Sequence, residues 1–344
     1  MKVLALTKYD DSVASSRQRF AQFFPDLAAA GALVQALPLW PRAHVDRLFA
    51  GQRFDPHAER VAYGRRWRQL HDVVDADVWW IEGELLPFFP AAWEPRPPAR
   101  VRVVVDLDDA VFHKYDLHAS RLVRSILGSK IDLVMAAADV VVAGNAYVAA
   151  RARAAGARHV DVVPTVVDLA LLPPASVRAP HPFTIGWIGT PHTAQYLRSI
   201  EPALARLVDE GAALRLVGLA HNPLRVRATC VPWRRETEAT ELARFDVGIM
   251  PLRDSPWERG KCGYKLIQCM AVGTPVVASD VGVNVDVVGD AGFVVAPDGW
   301  TAALRRLRDD EDLRAAQGRR GRERVARFYS RDAVAHRVVR AVLG

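Results

Sequence analysis

Lysine is scarce in this chain of 344 residues, which contains six lysines against forty arginines. Two of the six, Lys261 and Lys265, lie close together in the segment GKCGYKLIQCMAVGTPVVAS (260–279). Lysine offers a compact point charge on a flexible stem, whereas arginine offers a planar fork. The pair therefore indicates a local need for an ammonium group beside glycine backbone.

Cysteines and long apolar runs are also rare. The three cysteines form no Cys-x-x-Cys pair, and an odd count without paired spacing predicts neither a disulfide framework nor a zinc site. No apolar run approaches the roughly 20 residues that a membrane-spanning helix needs. The opening MKVLALTKYDD becomes charged too early for the apolar core of a signal peptide. We therefore expect a cytoplasmic protein.

The basic balance of the chain does not predict a nucleic-acid partner. The formal net charge is +7, but single arginines are scattered among acidic residues. Nucleic-acid binders cluster Lys and Arg with interleaved aromatic residues, and the short run Arg-Arg-Trp-Arg at 65–68 is too small for that. Weak peripheral contact with an anionic membrane stays open as an alternative.

Apolar strand-like runs alternate with helical segments along the whole chain. Strands that are apolar throughout indicate parallel sheets covered on both faces. A segment with four prolines, 171–183, interrupts the alternation and reads as a linker. The sequence predicts an α/β protein with two doubly wound Rossmann-like domains facing across a cleft. We place them at 1–175 and 183–325, with a C-terminal helix at 326–344 that could pack back on the first domain.

The segment 260–279 combines a glycine loop with the start of a helix. Gly260 to Gly263 follow a predicted strand, and a helix is predicted over 264–272. Glycines at such a junction leave backbone N–H groups and the positive end of the helix dipole free for an anion. Lys265 in the first turn opposes that dipole unless an anion is bound. The alternative is a pair of solvated lysines on a surface loop.

This segment, with FDVGIMPL before it and SDVGVNVDVV after it, resembles the C-terminal signature of family 4-type (group 1) glycosyltransferases of the GT-B fold. The likeness extends to TIGWIGTPHTAQYL, to VVAGNAYVAARARAAG and VDVVPTVVD, and to ASSRQRF near the start. It implies a retaining, metal-independent transfer of a sugar from a nucleoside-diphosphate donor to a hydroxyl-bearing acceptor. The donor is a substrate, and no cofactor is expected.

The resemblance also implies where the donor binds. The glutamate pair typical of the family would fall on Gly260 and Gln268, so Glu258 is the acid that could substitute, while Gln268 can still hydrogen-bond a ribose hydroxyl. The full expected donor set is Gly189, Thr190, Arg253, Glu258, Lys261, Cys262, Gly263, Lys265, Gln268, Val281 and Gly282.

The strand end VVVDLDDAVFHKYD (103–116) brings acids and a histidine together in the first domain. We expect Asp108, Asp109 and His113 near the reacting sugar, with Lys265 as the fourth catalytic residue. Asp106 and Asp108 superficially match the Asp-x-Asp metal motif of the other large glycosyltransferase fold. Because that fold is typically built around one nucleotide-binding domain, we expect no metal. The alternative is that one aspartate caps a helix.

Two further strand ends are candidates for the acceptor or the phosphates. Ser15 and Ser16 are predicted to cap a helix, and Ser15, Arg17 and Arg19 follow the first strand. Solvated arginines on a capped helix are an equal alternative there. Glu84, or Glu82, is expected near the acceptor.

Two other functions remain open from sequence. One is a nucleotide-sugar epimerase or hydrolase of the same fold, and the other is a non-enzymatic two-lobed binding protein. The expected partners are a nucleotide-sugar donor and a small-molecule, glycan or lipid-linked acceptor. The sequence names neither the sugar nor the base, and the oligomeric state is unknown.

Overall fold

The computed structural model describes residues 1–49, 55–72, 75–174 and 181–344. The chain divides into two compact units. Unit 1 comprises Met1–Thr165, Gly260–Cys262 and Val334–Gly344, and unit 2 comprises Val166–Arg259 and Gly263–Ala333.

Unit 1 is built on a six-stranded parallel sheet. Its strands pair in the order β2-β1-β3-β4-β5-β6, so the order reverses at β1. β3, β4 and β5 are largely buried along their length, as apolar strands covered by helices on both faces should be. The strands are β1 (Lys2–Leu6), β2 (Leu33–Ala36), β3 (Val78–Glu82), β4 (Arg102–Leu107), β5 (Val140–Ala143) and β6 (Val160–Val162).

Short helices connect these strands. They are α1 (Ala14–Arg19), α2 (Phe24–Ala29), α3 (Arg42–Phe49), α4 (Pro56–Asp72), α5 (His113–Asp116), α6 (Arg121–Leu127), α7 (Lys130–Ala137) and α8 (Ala146–Ala154). Leu122, Ile126 and Leu133, apolar residues of α6 and α7, are exposed. The break at Gly128–Ser129 changes the helical phase, and other apolar residues of these helices face the core.

Unit 2 repeats the design with a different strand order. Its six parallel strands pair as β12-β11-β10-β7-β8-β9, so the order reverses between β7 and β10. The strands are β7 (Thr184–Ile188), β8 (Ala213–Val217), β9 (Thr229–Val231), β10 (Val247–Met250), β11 (Val276–Ser279) and β12 (Gly292–Val295). The prediction of two doubly wound α/β domains is confirmed.

The helices of the second half cover both faces of this sheet. They are α9 (Glu201–Asp209), α10 (Glu238–Leu242), α11 (Pro256–Arg259), α12 (Tyr264–Ala271), α13 (Asn284–Val288), α14 (Trp300–Asp309), α15 (Glu311–Arg324) and α16 (Arg331–Leu343), of which α16 passes into unit 1 at Val334. A 3₁₀ segment, Thr193–Ile200, precedes α9. Among the described residues, no helix combines the length and the apolar character needed to cross a membrane.

The two units divide at Thr165, before the proline-rich segment that the sequence suggests as a linker. Val167 pairs with Ser330 in an isolated bridge, and Val167 and Leu172 join an apolar core of unit 2. Packing therefore draws the start of the expected linker into unit 2. Residues 175–180 of that linker lie outside the described residues.

Candidate active site

The sheet of unit 2 reverses its order between β7 and β10, and ligands of such sheets bind at the carboxyl ends of the strands beside that point. Three adjacent strands, β7, β10 and β11, deliver the expected donor residues to this edge. Those that lie in unit 2 are Gly189, Thr190, Arg253, Glu258, Gly263, Lys265, Gln268, Val281 and Gly282.

Lys265 lies at the centre of this edge. Its Nζ donates to Thr193 Oγ1 at 3.1 Å and lies 4.7 Å from the ring centroid of Trp187, the strand residue before Ile188. Thr193 Oγ1 also accepts the Thr190 N–H at 3.1 Å, so one hydroxyl ties the lysine to the loop after β7. The ammonium is thereby held at the carboxyl end of β7.

Gly189 provides the space for that ammonium. A methyl group at Gly189 would lie 2.8 Å from Lys265 Nζ and 2.5 Å from the Trp187 ring, inside van der Waals contact. Any larger residue would displace the lysine or the tryptophan. The glycine is therefore required by a close approach and not by an unusual backbone angle.

The helix that carries Lys265 begins at a glycine. Gly263 has a left-handed φ of 71° and, having no side chain, cannot itself cap the first N–H groups of α12. Leu266, Ile267 and Met270 bury the apolar face of α12, and the predicted helix is confirmed with its end one residue earlier. This anchoring fixes the direction of the lysine stem.

Glu258, the suggested substitute for the missing glutamate pair, is held inside unit 2. Tyr196 Oη donates to its Oε1 at 2.5 Å, Ser255 Oγ donates to its Oε2, and the residue is 8% exposed. Gln268 is also buried, whereas Arg253 is exposed. Each carboxylate oxygen keeps a second lone pair for a ligand.

The turn after β11 brings backbone against backbone. Gly282 has a φ of 57°, and a methyl group there would lie 2.5 Å from the Arg259 carbonyl oxygen. Val281 beside it is buried. The turn follows the third strand of this edge, and its charged side chain, Asp280, is exposed.

The loop 260–262 groups with unit 1, although the sequence suggested it would belong with the second domain. Lys261 Nζ donates to Asp109 Oδ2 at 3.0 Å, and the Cys262 N–H donates to Asp109 Oδ1 at 3.0 Å. Asn145 Nδ2 donates to the Gly260 carbonyl at 2.9 Å. The two lysines of one motif therefore serve different units.

Asp108 lies beside this pair. Burial, followed by the neighbouring Asp109 carboxylate, raises the pKa of Asp108 to about 7. Ligand atoms of Asp108, Asp109 and Cys262 lie within 4.8 Å of one another, a spacing that a metal could use. Both Asp109 oxygens, however, already accept from N–H or ammonium donors.

His113 begins α5 with both ring nitrogens engaged. Nδ1 lies 2.8 Å from Asp116 Oδ1 and Nε2 lies 2.9 Å from Tyr147 Oη. These contacts fix the orientation of the ring. For His113 to act directly on the reacting sugar, the hydrogen bond between its Nε2 and Tyr147 Oη must break.

The residues after β1 are held by buried bonds. α1 begins at Ala14, so the expected cap at Ser15–Ser16 is wrong: Ser15 is a partly exposed helical residue, and Ser16 Oγ donates to Glu82 Oε2 at 2.6 Å. Arg17 is buried and donates to the Asp11 carbonyl at 3.2 Å. The alternative of solvated arginines is likewise excluded. The inward pull of the Glu82 carboxylate explains why the serine does not cap.

Arg19 completes this buried layer. It pairs with Asp106 at 2.8 Å and donates to the Val163 carbonyl at 2.7 Å. Asp106 is therefore an internal anchor of β4, and the carboxylates available at this strand end are Asp108 and Asp109.

Glu84 lies in a buried charge cluster, which we call the Glu84 cluster. Its carboxylate accepts from Tyr115 Oη at 2.7 Å and pairs with Lys130 at 2.7 Å and with Lys114 at 3.5 Å. Burial would raise the pKa of Glu84, but the ammonium groups of Lys8, Lys130 and Lys114 lower it to about 2. Glu84 is fully enclosed and presents no free face to an acceptor.

A comparison with protein families matches the part of the sequence that forms this edge of unit 2. Residues 182–310 match the family described as glycosyl transferases group 1. The chain carries a group 1 glycosyltransferase domain. A search among curated proteins gave no match.

Solved structures match this chain over 98% or more of its length. Sucrose-phosphate synthase from Thermosynechococcus elongatus is 18% identical, with a TM-score of 0.72 over 98% of this chain and 97% of that one. Anabaena HepE in complex with UDP-glucose is 15% identical, with a TM-score of 0.68 over 99% and 98%. WaaG, a glycosyltransferase of lipopolysaccharide biosynthesis, is 13% identical, with a TM-score of 0.66 over 100% of both chains. The fold is GT-B.

Several residues of the glycosyltransferase were missed at the level of sequence. Thr193 and Trp187, which hold Lys265, and Tyr196, which holds Glu258, lie in the segment TIGWIGTPHTAQYL, but none of them was singled out as a site residue. Position offered one signal, since Trp187 and Thr193 flank the loop after the first strand of unit 2. Lys8 and Lys130, whose ammonium groups lower the pKa of Glu84, were not singled out either.

Proposed function

We propose that this glycosyltransferase transfers a sugar from a nucleoside-diphosphate donor to a hydroxyl-bearing acceptor, with retention and without a metal ion. One observation carries the proposal: a lysine held over the switch point of the unit 2 sheet, at the start of a glycine-capped helix. Departure of a nucleoside diphosphate concentrates negative charge on its phosphates. Preorganised ammonium and N–H groups stabilise such charge most strongly in the transition state.

The placement of Lys265 is costly unless an anion is bound. A cation in the first turn of a helix meets the positive end of the helix dipole. Trp187 and Thr193 nevertheless fix the ammonium there, and Gly189 keeps the space open. An anionic ligand at this edge offsets that penalty, and a diphosphate has the charge and the size to do so.

The first donor to test is taken from a structural neighbour. Anabaena HepE has been solved with UDP and with UDP-glucose, and its fold matches over nearly the whole chain. We therefore take UDP-glucose as the first donor to test. Retention rests on the family resemblance.

Metal independence has its support in both units. In unit 2, Lys265 and the start of α12 supply positive charge, and in unit 1 Lys261 and the Cys262 N–H occupy both oxygens of Asp109. An ammonium group thus already supplies positive charge beside the aspartates, which reduces the need for a divalent ion there. Turnover should persist at nearly full rate in EDTA, and strict dependence on Mn²⁺ or Mg²⁺ would contradict this part of the proposal.

The main test is the replacement of Lys265 by alanine. Release of UDP from UDP-glucose should slow on the order of 10²–10³-fold, because the lost contact strengthens as the leaving group gains charge. The UDP Kd, measured by titration calorimetry, should rise much less. Lys265→Arg should restore only part of the rate, since the planar fork cannot reproduce a point charge.

Two controls accompany this test. Lys2→Ala removes the same charge from the start of β1 in unit 1 and should leave UDP release unchanged. A melting curve of Lys265→Ala should match the wild type, since α12 remains anchored by its apolar face. Normal turnover in Lys265→Ala, or a failure that comes only from unfolding, would remove the lysine from the site.

A further inference from the structure

The loop that follows β3 in unit 1 carries an exposed aromatic side chain at the switch point of its sheet. The strand order reverses at β1, so the crevice of this unit opens beside the carboxyl ends of β1 and β3. Phe88 lies in the loop after β3 and is 52% exposed. Burial in the core therefore does not explain the aromatic residue at this position.

The backbone of Phe88 is strained. Its φ of 63° makes it the one non-glycine residue with a positive φ among those the structure describes. A bulky side chain in the left-handed region is a genuine outlier, and such residues persist only where their surroundings determine them. Strain of this kind concentrates at sites that bind ligands.

The Glu84 cluster holds Phe88 in this conformation. The Phe88 N–H donates to Tyr115 Oη at 3.0 Å, and that hydroxyl donates to Glu84. Lys130, which is fully buried, pairs with the same carboxylate oxygen, Oε2, at 2.7 Å. A buried network of charges thus holds the backbone of an exposed ring.

Lys114 completes the exposed surface. Its Nζ lies 4.1 Å from the centroid of the Phe88 ring and 3.5 Å from Glu84 Oε1, and the side chain is 28% exposed. Burial lowers the pKa of Lys114 to about 8, although the nearby Glu84 carboxylate raises it. The ring and the ammonium together offer an apolar face beside a hydrogen-bond donor.

We propose that Phe88 and Lys114 form a binding subsite for a sugar residue of a carbohydrate acceptor. A pyranose ring has an apolar C–H face that stacks on an aromatic ring, and hydroxyl groups at its edge that accept from an ammonium. A lipid chain requires an enclosed apolar groove and would be disfavoured beside the Lys114 ammonium. The inference rests on the proposed transfer and names the class of its acceptor.

The test measures sugar binding separately from donor chemistry. Methyl glycosides of glucose, galactose, mannose and N-acetylglucosamine are titrated into the full chain, and binding is followed by saturation-transfer NMR. The variants are Phe88→Leu, which removes the flat ring, and Phe88→Gly, which removes both ring and strain. Phe328→Leu is the matched control, since Phe328 is 43% exposed and lies below the guanidinium groups of Arg324 and Arg327, but has no positive φ.

We expect at least one glycoside to bind the wild type, and Phe88→Leu and Phe88→Gly to weaken its binding about tenfold, the equivalent of about 1.4 kcal/mol. Phe328→Leu should bind as the wild type does. Phe88→Gly should also melt at a higher temperature, because glycine adopts a positive φ freely. A loss of binding in a more stable protein is an effect that a purely structural role for Phe88 would not produce.

Two results would overturn the subsite. One is the absence of binding of every glycoside to the wild type, and the other is unchanged binding in both Phe88 variants. UDP release from UDP-glucose is measured on the same samples. If UDP release is intact and glycoside binding does not depend on Phe88, only the subsite is rejected. If neither UDP binding nor UDP release is observed, the proposed function is rejected.

Discussion

The two units use the same sheet architecture with different chemistry at its carboxyl edge. Both have six parallel strands, but the order reverses at β1 in unit 1 and between β7 and β10 in unit 2. At the edge of unit 1 lie a buried carboxylate, its three lysines and a tyrosine. At the edge of unit 2 lie glycines, the start of a helix and one lysine.

The two edges illustrate two ways in which a binding site can be built. Backbone N–H groups and a single ammonium suit a ligand that brings its own negative charge, such as a diphosphate. A buried carboxylate paired with ammonium groups instead fixes the loop above it and leaves the surface available for a neutral partner. The fold is therefore compatible with either site, and the residues at the strand ends decide which one is made.

The largest effect is expected when the Glu84 cluster of unit 1 is disrupted, and it is an effect on stability. Lys130→Met removes the nearest cation from buried Glu84 and should lower the free energy of unfolding by about 3–5 kcal/mol, because the buried carboxylate loses its closest ion-pair partner. Chemical denaturation measures the change. Lys114→Met is the matched variant: its ammonium is more exposed and farther from Glu84, so the loss should be smaller. Equal losses in the two variants would contradict the assigned roles.

An intermediate effect is expected from filling the glycine edge of unit 2. Gly189→Ala should destabilise the protein by about 1–3 kcal/mol, because the added methyl group overlaps the Trp187 ring and the Lys265 ammonium. UDP binding should weaken in parallel, which calorimetry will measure. Gly64→Ala is the control in unit 1: this glycine lies within α4 with open space around it and should gain roughly 0.5–1 kcal/mol. Stabilisation by both Gly189→Ala and Gly64→Ala would show that Lys265 does not need the open space at Gly189.

The smallest effect concerns the pH dependence of stability in unit 1. The pKa of Asp108 is raised from 3.8 to about 7 by burial and by Asp109, so the folded state binds a proton that the unfolded state releases. Stability from this group is full below pH 4 and is lost as the pH rises to 7. Asp108→Asn should reduce this decline in stability by about 1–2 kcal/mol. The full pKa shift, at about 1.4 kcal/mol per unit, would imply a larger change, but the side chain is partly exposed and water screens part of the effect. Melting curves between pH 4 and pH 8 that run parallel for both proteins would refute the raised pKa.

Much of the architecture follows from local sequence. The apolar runs predicted the sheets because a strand buried on both faces needs apolar residues at every position. The glycine loop, Lys265 and the amphipathic run after it predicted α12 and its start, since capping and helical periodicity depend on neighbours in the chain. The strand-end rule then pointed to the edge of unit 2 without any knowledge of the partners of Lys265.

Contacts between residues distant in sequence were decided by tertiary structure alone. Ser16 turns inward because Glu82 from β3 accepts its hydroxyl, and Lys261 lies on Asp109, far from it in the chain. The strained backbone of Phe88 depends on Tyr115 and on the charges around Glu84. The sequence by itself determined which residues form strands and helices and which of them reach the strand ends. Only the folded chain decided which charges neutralise one another, because burial removes the water that would otherwise solvate each charge separately.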